Sequence, residues 1–98
     1  MISAKQIQTY YNHLYKCLRV YIWPGNVVSE IADLEVACYQ VFPNLKVVRN
    51  AFNKLRVSVF KYIKDDEDII QAFDDFQELL DSSSELFAKL NSRLKGVK

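Results

Sequence analysis

The chain has 98 residues, half of them hydrophobic and 13% aromatic, and its formal net charge is +1. That length holds one domain, residues 1–98, with one core, and that apolar content excludes a disordered chain. With two glycines and two prolines in all, the stretches between breaks are long, which favours helices over short strands and turns.

Ser3 followed by Gln6 forms a capping box, and Ile2 with Ile7 stands at the spacing of a hydrophobic staple, so a first helix is expected to start here. Its apolar stripe is Ile7, Tyr11, Leu14, Leu18 and Tyr21, with Gln8, Asn12, Lys16 and Arg19 opposite. Trp23, Pro24, Gly25 and Asn26 end it, and Asn26 is the expected cap of the second helix. There Val27, Ile31, Leu34, Cys38 and Val41 repeat the pattern as far as Pro43. Asn44 is the expected cap of a third helix with the stripe Leu45, Val48, Phe52, Leu55, Val59 and Tyr62.

The last segment is the most regular, keeping Ile69, Phe73, Phe76, Leu80, Ser83, Phe87, Leu90 and Leu94 in one phase. Ser82 to Glu85 also read as a second capping box, so this helix is either long or broken near Ser82–Ser84; the unbroken phase favours continuity. Short connections between long helices predict an all-α, antiparallel, up-and-down four-helix bundle. No apolar run nears the roughly 18 residues of a membrane span. Residues 1–6 do not read as a signal peptide, so a cytoplasmic location without membrane contact is expected.

Charge is sorted by segment. Residues 1–42 carry three basic and three acidic groups, residues 43–64 six basic and no acidic, and residues 65–81 eight acidic and no basic. The expected order places a basic third helix beside an acidic fourth one, so that their fields cancel. Asp65 to Asp68 sit where a helix N-terminus favours negative charge.

No catalytic, metal or cofactor site emerges. His13, the single histidine, has neither an acid nor a nucleophile at helical spacing. One histidine and two cysteines outside any CxxC pair do not make a zinc site, and two glycines do not make a phosphate loop. Glu67, Asp74, Glu78, Asp81 and Glu85 share a face, but it opposes the apolar stripe, so it reads as solvated rather than metal-binding. A hairpin about Pro24 offsets Cys17 from Cys38 by about 9 Å along the helix axis at about 1.5 Å per residue. That exceeds the roughly 7 Å a disulfide spans, and two reduced thiols are expected.

Two surface features point to a protein partner. On a helical wheel Phe60 and Val57 fall outside the third helix's stripe among Asn53, Arg56, Lys61 and Lys64, the composition of an interface anchor. Asn53, Arg56, Val57, Phe60 and Lys64 are therefore the expected partner-binding set, the competing reading being that the tail or the first helix covers Phe60. The second feature is length. A third helix of about 32 Å leaves the end of a fourth helix of about 45 Å unpaired, which makes Phe87, Leu90 and Leu94 a candidate homo-oligomer interface. The function these features imply is a small non-enzymatic adaptor, regulator or accessory protein acting through protein–protein contacts. The alternative is a nucleic-acid binder using Lys46, Arg49, Lys54, Arg56, Lys61 and Lys64 of the third helix, though the acidic segment beside it would repel phosphate beyond a Debye length of about 8 Å.

Overall fold

Helix punctuation in this chain is set by three side-chain caps and two prolines. The Ser3 hydroxyl accepts from the Gln6 backbone N–H at 3.1 Å, while the Gln6 side chain accepts from the Ser3 N–H at 2.9 Å, which is the complete capping box. Asn44 accepts from the N–H groups of Lys46 and Val47, and Asp66 accepts from that of Ile69. The resulting helices are α1 (Ala4–Leu18), α2 (Gly25–Cys38), α3 (Leu45–Tyr62) and α4 (Glu67–Gly96). The computed structural model describes the backbone of residues 2–96 and the side chains of residues 2–82. Among the described residues there is no strand, and the four helices form one helical bundle. The backbone of α4 is helical straight through Ser82–Ser84.

Several predicted ends lie too far along the chain. α1 stops at Leu18 rather than running on to Tyr21, and α2 stops at Cys38 rather than continuing through Val41. A proline ring collides with the carbonyl four residues before it as well as constraining its immediate neighbour. Pro43 therefore reaches back to Tyr39, where α2 ends, and Pro24 reaches back to Val20, two residues beyond the end of α1. Asn26 is not a cap: α2 begins at Gly25 with Pro24 in the cap position, and no side chain caps it. α3 ends at Tyr62, which is exposed instead of closing the stripe.

The interior is one cluster. Ile7, Tyr11, Leu14 and Leu18 of α1 meet Val27, Leu34, Ala37 and Cys38 of α2, with Val48, Phe52, Leu55 and Val59 from α3 and Ile69, Ala72, Phe73, Phe76 and Leu80 from α4. The α2/α3 and α1/α4 pairs lie closest. Aromatic rings fill the wider space between α3 and α4: Phe52 meets Phe73 with centroids 5.6 Å apart and Phe76 at 5.0 Å, both in tilted or edge geometry. Tyr10 of α1 packs on the other side of Phe76 at 6.3 Å.

Truncation of a fully buried ring should cost far more than truncation on the surface. Phe73→Ala is expected to lower stability by about 3–5 kcal/mol and Val57→Ala to change it by no more than about 0.5 kcal/mol, both read from denaturant unfolding. Gly25 has no positive φ and nothing within 4 Å of an added Cβ. Gly25→Ala should therefore raise stability by about 0.4–1 kcal/mol, mainly by restricting the unfolded chain, with a matching rise in the melting temperature.

Candidate interaction surface

Of the predicted partner-binding residues, the structure keeps some on the surface and turns others inward. Asn53, Val57 and Lys64 are exposed. Phe60 is half-buried against the core, its ring 5.3 Å from that of Phe73 on α4. Arg56 lies over the Phe60 ring at 5.7 Å, donates to Gln77 at 3.2 Å and pairs with Asp74 at 3.6 Å. Arg49 donates to the backbone carbonyl of Leu80. Both arginines of α3 are thus bound to α4, Arg56 through the acid Asp74 and Arg49 through a backbone carbonyl. Phe87, Leu90 and Leu94 lie outside the residues whose side chains are described.

The larger apolar surface lies on the other flank of α3, where α2 packs. One shallow groove of about 320 Å³ is lined by Asp33, Val36, Ala37, Gln40, Phe42, Asn44 and Val47. A second, of about 360 Å³, is lined by Glu30, Asn53, Lys54, Val57 and Ser58. On this face Val36 is 61% exposed, Val47 52%, Val57 59% and Phe42 90%. Phe42 stands out because α2 ends early, leaving residues 39–44 as a connection rather than a last helical turn. The small residues Ala37 and Ser58, both buried, let the two helices approach closely, and the valines beside them are left exposed. One carboxylate oxygen of Glu30 is buried in the second groove and accepts no hydrogen bond among the described residues. The exposed valines were present in the sequence pattern, but an isolated Val outside a stripe is ordinary; only adjacency across two helices makes them a patch.

The opposite end of the bundle is tied by aromatic and acidic groups. The Trp23 indole donates at 2.8 Å to the Leu18 carbonyl at the end of α1, which also accepts from the Tyr21 N–H at 3.1 Å. Its ring meets Tyr21 at 5.8 Å and Tyr62 at 6.5 Å. Tyr21, expected on the helical stripe, instead sits in the turn and donates its hydroxyl to Asp66 at the start of α4. That bond, aided by the Ile69 N–H, holds the Asp66 carboxyl below its ordinary range, and the same bond raises the Tyr21 hydroxyl.

Both thiols are free. Burial pushes Cys38 up to about 12, and burial together with Asp68 and Asp66 raises Cys17, so neither is an activated nucleophile. His13 is exposed on α1, and among the described residues no group of three potential metal ligands occurs. Comparison with family models, with curated proteins and with solved structures finds no match.

The Tyr21–Asp66 bond gives a pH signature. A carboxyl with a lowered folded pKa stabilises the fold above its unfolded pKa, and that contribution disappears as the pH falls through the folded value. A phenol with a raised folded pKa contributes below its unfolded value of 10.0 and ceases to as the pH rises through the folded one. Tyr21→Phe should therefore move the Asp66 titration upward toward an ordinary carboxylate, followed by NMR of the side-chain carboxyl, and should weaken the pH dependence of stability at both extremes.

Proposed function

We propose that this domain is a non-enzymatic interaction module, an adaptor, regulator or accessory protein of the cytoplasm, whose docking surface is the outer face of the α2–α3 hairpin. The observation that carries this reading is the exposure of Val36 and Val47 beside Phe42 in one groove, with Val57 exposed in a second groove lined by the same two helices. Exposed valine suits a helix poorly, costing up to about 0.7 kcal/mol against alanine, and an exposed phenylalanine returns nothing to the fold. Buried against another protein, the same groups contribute about 25 cal/mol per Å². Asn53 and Val57 from the sequence-based set belong to this surface, with Lys54 between them on the groove.

The nucleic-acid alternative finds less support. Lys46, Lys54, Lys61 and Lys64 are exposed, but Arg49 and Arg56, the side chains best suited to a bidentate grip on phosphate, are engaged by α4. The acids of α2 lie alongside the free lysines.

The test is site-specific photo-crosslinking in the native host. A photoreactive residue at Val36, Val47 or Val57 should give discrete protein adducts, whereas one at the exposed positions Asn12 or Glu78 should give none. Val57→Asp should suppress the adduct formed from position 36 while leaving the circular dichroism spectrum unchanged. Equal labelling at all five positions, or none at the three valines, would refute the proposed surface.

A further inference from the structure

The chemistry of the α2–α3 face specifies its occupant more narrowly than apolarity does. α2 carries Glu30, Asp33 and Glu35 and no basic residue, whereas α3 carries Lys46, Arg49, Lys54, Arg56 and Lys61 and no acid. Two of those five, Arg49 and Arg56, are bound to α4. What remains outward on α3 is Lys46, Lys54 and Lys61; of the acids of α2, Asp33 and Glu30 line the two grooves, whereas Glu35 lies toward Tyr11 of α1.

We infer that the occupant of this face is a second copy of the chain, related by a two-fold axis, with α2 of each copy lying against α3 of the other. The inference rests on the docking surface proposed above and names its partner. A two-fold interface must be self-complementary, each patch meeting its own image. A partner of uniform charge, whether an acidic peptide or a polyphosphate, would be drawn to one helix of the face and repelled by its neighbour. A second copy brings the opposite sign to both helices at once by symmetry. Its valines meet valines across the same interface, so the apolar and charged parts are satisfied by a single operation.

No direct ion pair joins the acids of α2 to the lysines of α3 among the described residues. Among the described residues the one ion pair is Arg56 with Asp74, between α3 and α4. The half-buried Glu30 carboxylate, with an oxygen that accepts no hydrogen bond there, lies in the groove next to Lys54 without forming an ion pair to it.

The experiment is sedimentation or light scattering of the full chain and of two charge-reversed variants. Wild type at low salt should approach twice the 11.5 kDa chain mass as concentration rises, and added salt should weaken the association. Glu30→Lys with Asp33→Lys makes the α2 side of the face basic, and Lys54→Glu with Lys61→Glu makes the outward charge of α3 acidic, since Arg49 and Arg56 are held by α4. Each double variant should remain folded by circular dichroism and self-associate about 100-fold more weakly, because like charges now face each other. An equimolar mixture of the two should restore the dimer as a heterodimer, a result that neither misfolding nor a different interface produces.

A wild type still monomeric at about 1 mM, a dimer that both variants retain, or a mixture that fails to associate would each overturn the inference. The two readings fail separately. Monomeric protein with intact crosslinks at Val36, Val47 and Val57 would overturn the second copy and leave the docking surface, while loss of those crosslinks as well would end both.

Discussion

Phe73 and Phe76 of α4 form the hinge on which the packing of this domain depends. Between them they touch Phe52 and Phe60 of α3 and Tyr10 of α1. Rings of that size keep α3 and α4 apart at the middle and leave the edge of their interface to long side chains. Arg56 and Arg49 occupy that edge, one stacked on Phe60 and reaching Gln77 and Asp74, the other donating to the Leu80 carbonyl. Apolar bulk thus fixes the spacing, and the spacing decides which cations are used internally. The lysines, on the far flank of α3, are left outward.

The same separation explains why α2 and α3 pack so differently from α3 and α4. Where α3 meets α2 the side chains are small, Ser58 on one helix and Ala37 on the other, and the helices come close. Close packing of two helices uses only a narrow strip of each. The outward flanks carry Val36, Val47 and Val57 into solvent, with Phe42 carried out by the connection that follows α2. An apolar surface of this kind follows from a layer of two helices that nothing among the described residues covers on one side.

Much of the fold was legible in the sequence because the signals involved are local. The Ser3–Gln6 box and the Asn44 cap depend on residues three positions apart or fewer, and the stripes depend on a period fixed by backbone geometry. What was not legible depends on neighbours. Val41 continues the period of α2, but the collision of the Pro43 ring with the carbonyl four residues back ends the helix first. Phe60 stands one residue, about 100° around the helix, past Val59 and seemed to face outward. A helix packed between two partners has two buried flanks, and the wheel alone does not say that α4 lies on that side. Nor does periodicity reveal that Trp23 closes the end of α1 through Leu18, or that Tyr21 reaches Asp66, 45 positions away in the chain. For the site, Val57 and Asn53 were found from the wheel, whereas Val36, Val47 and Phe42 form a patch only once α2 is laid beside α3.

The pairing of helices also imposes an order of assembly. α2 joins α3 across a connection of a few residues, a closure that costs little chain entropy. α1 finds its closest partner in α4, so that contact encloses α2 and α3 between them in the chain. α2 meanwhile lacks a side-chain cap and starts on a glycine, which gives it little helical preference of its own. On a ribosome α2 and α3 would emerge as an unfinished surface, with α1 already made and waiting. The core then closes only when Phe73 and Phe76 arrive, so nascent chains would commit to the native state late and nearly all at once.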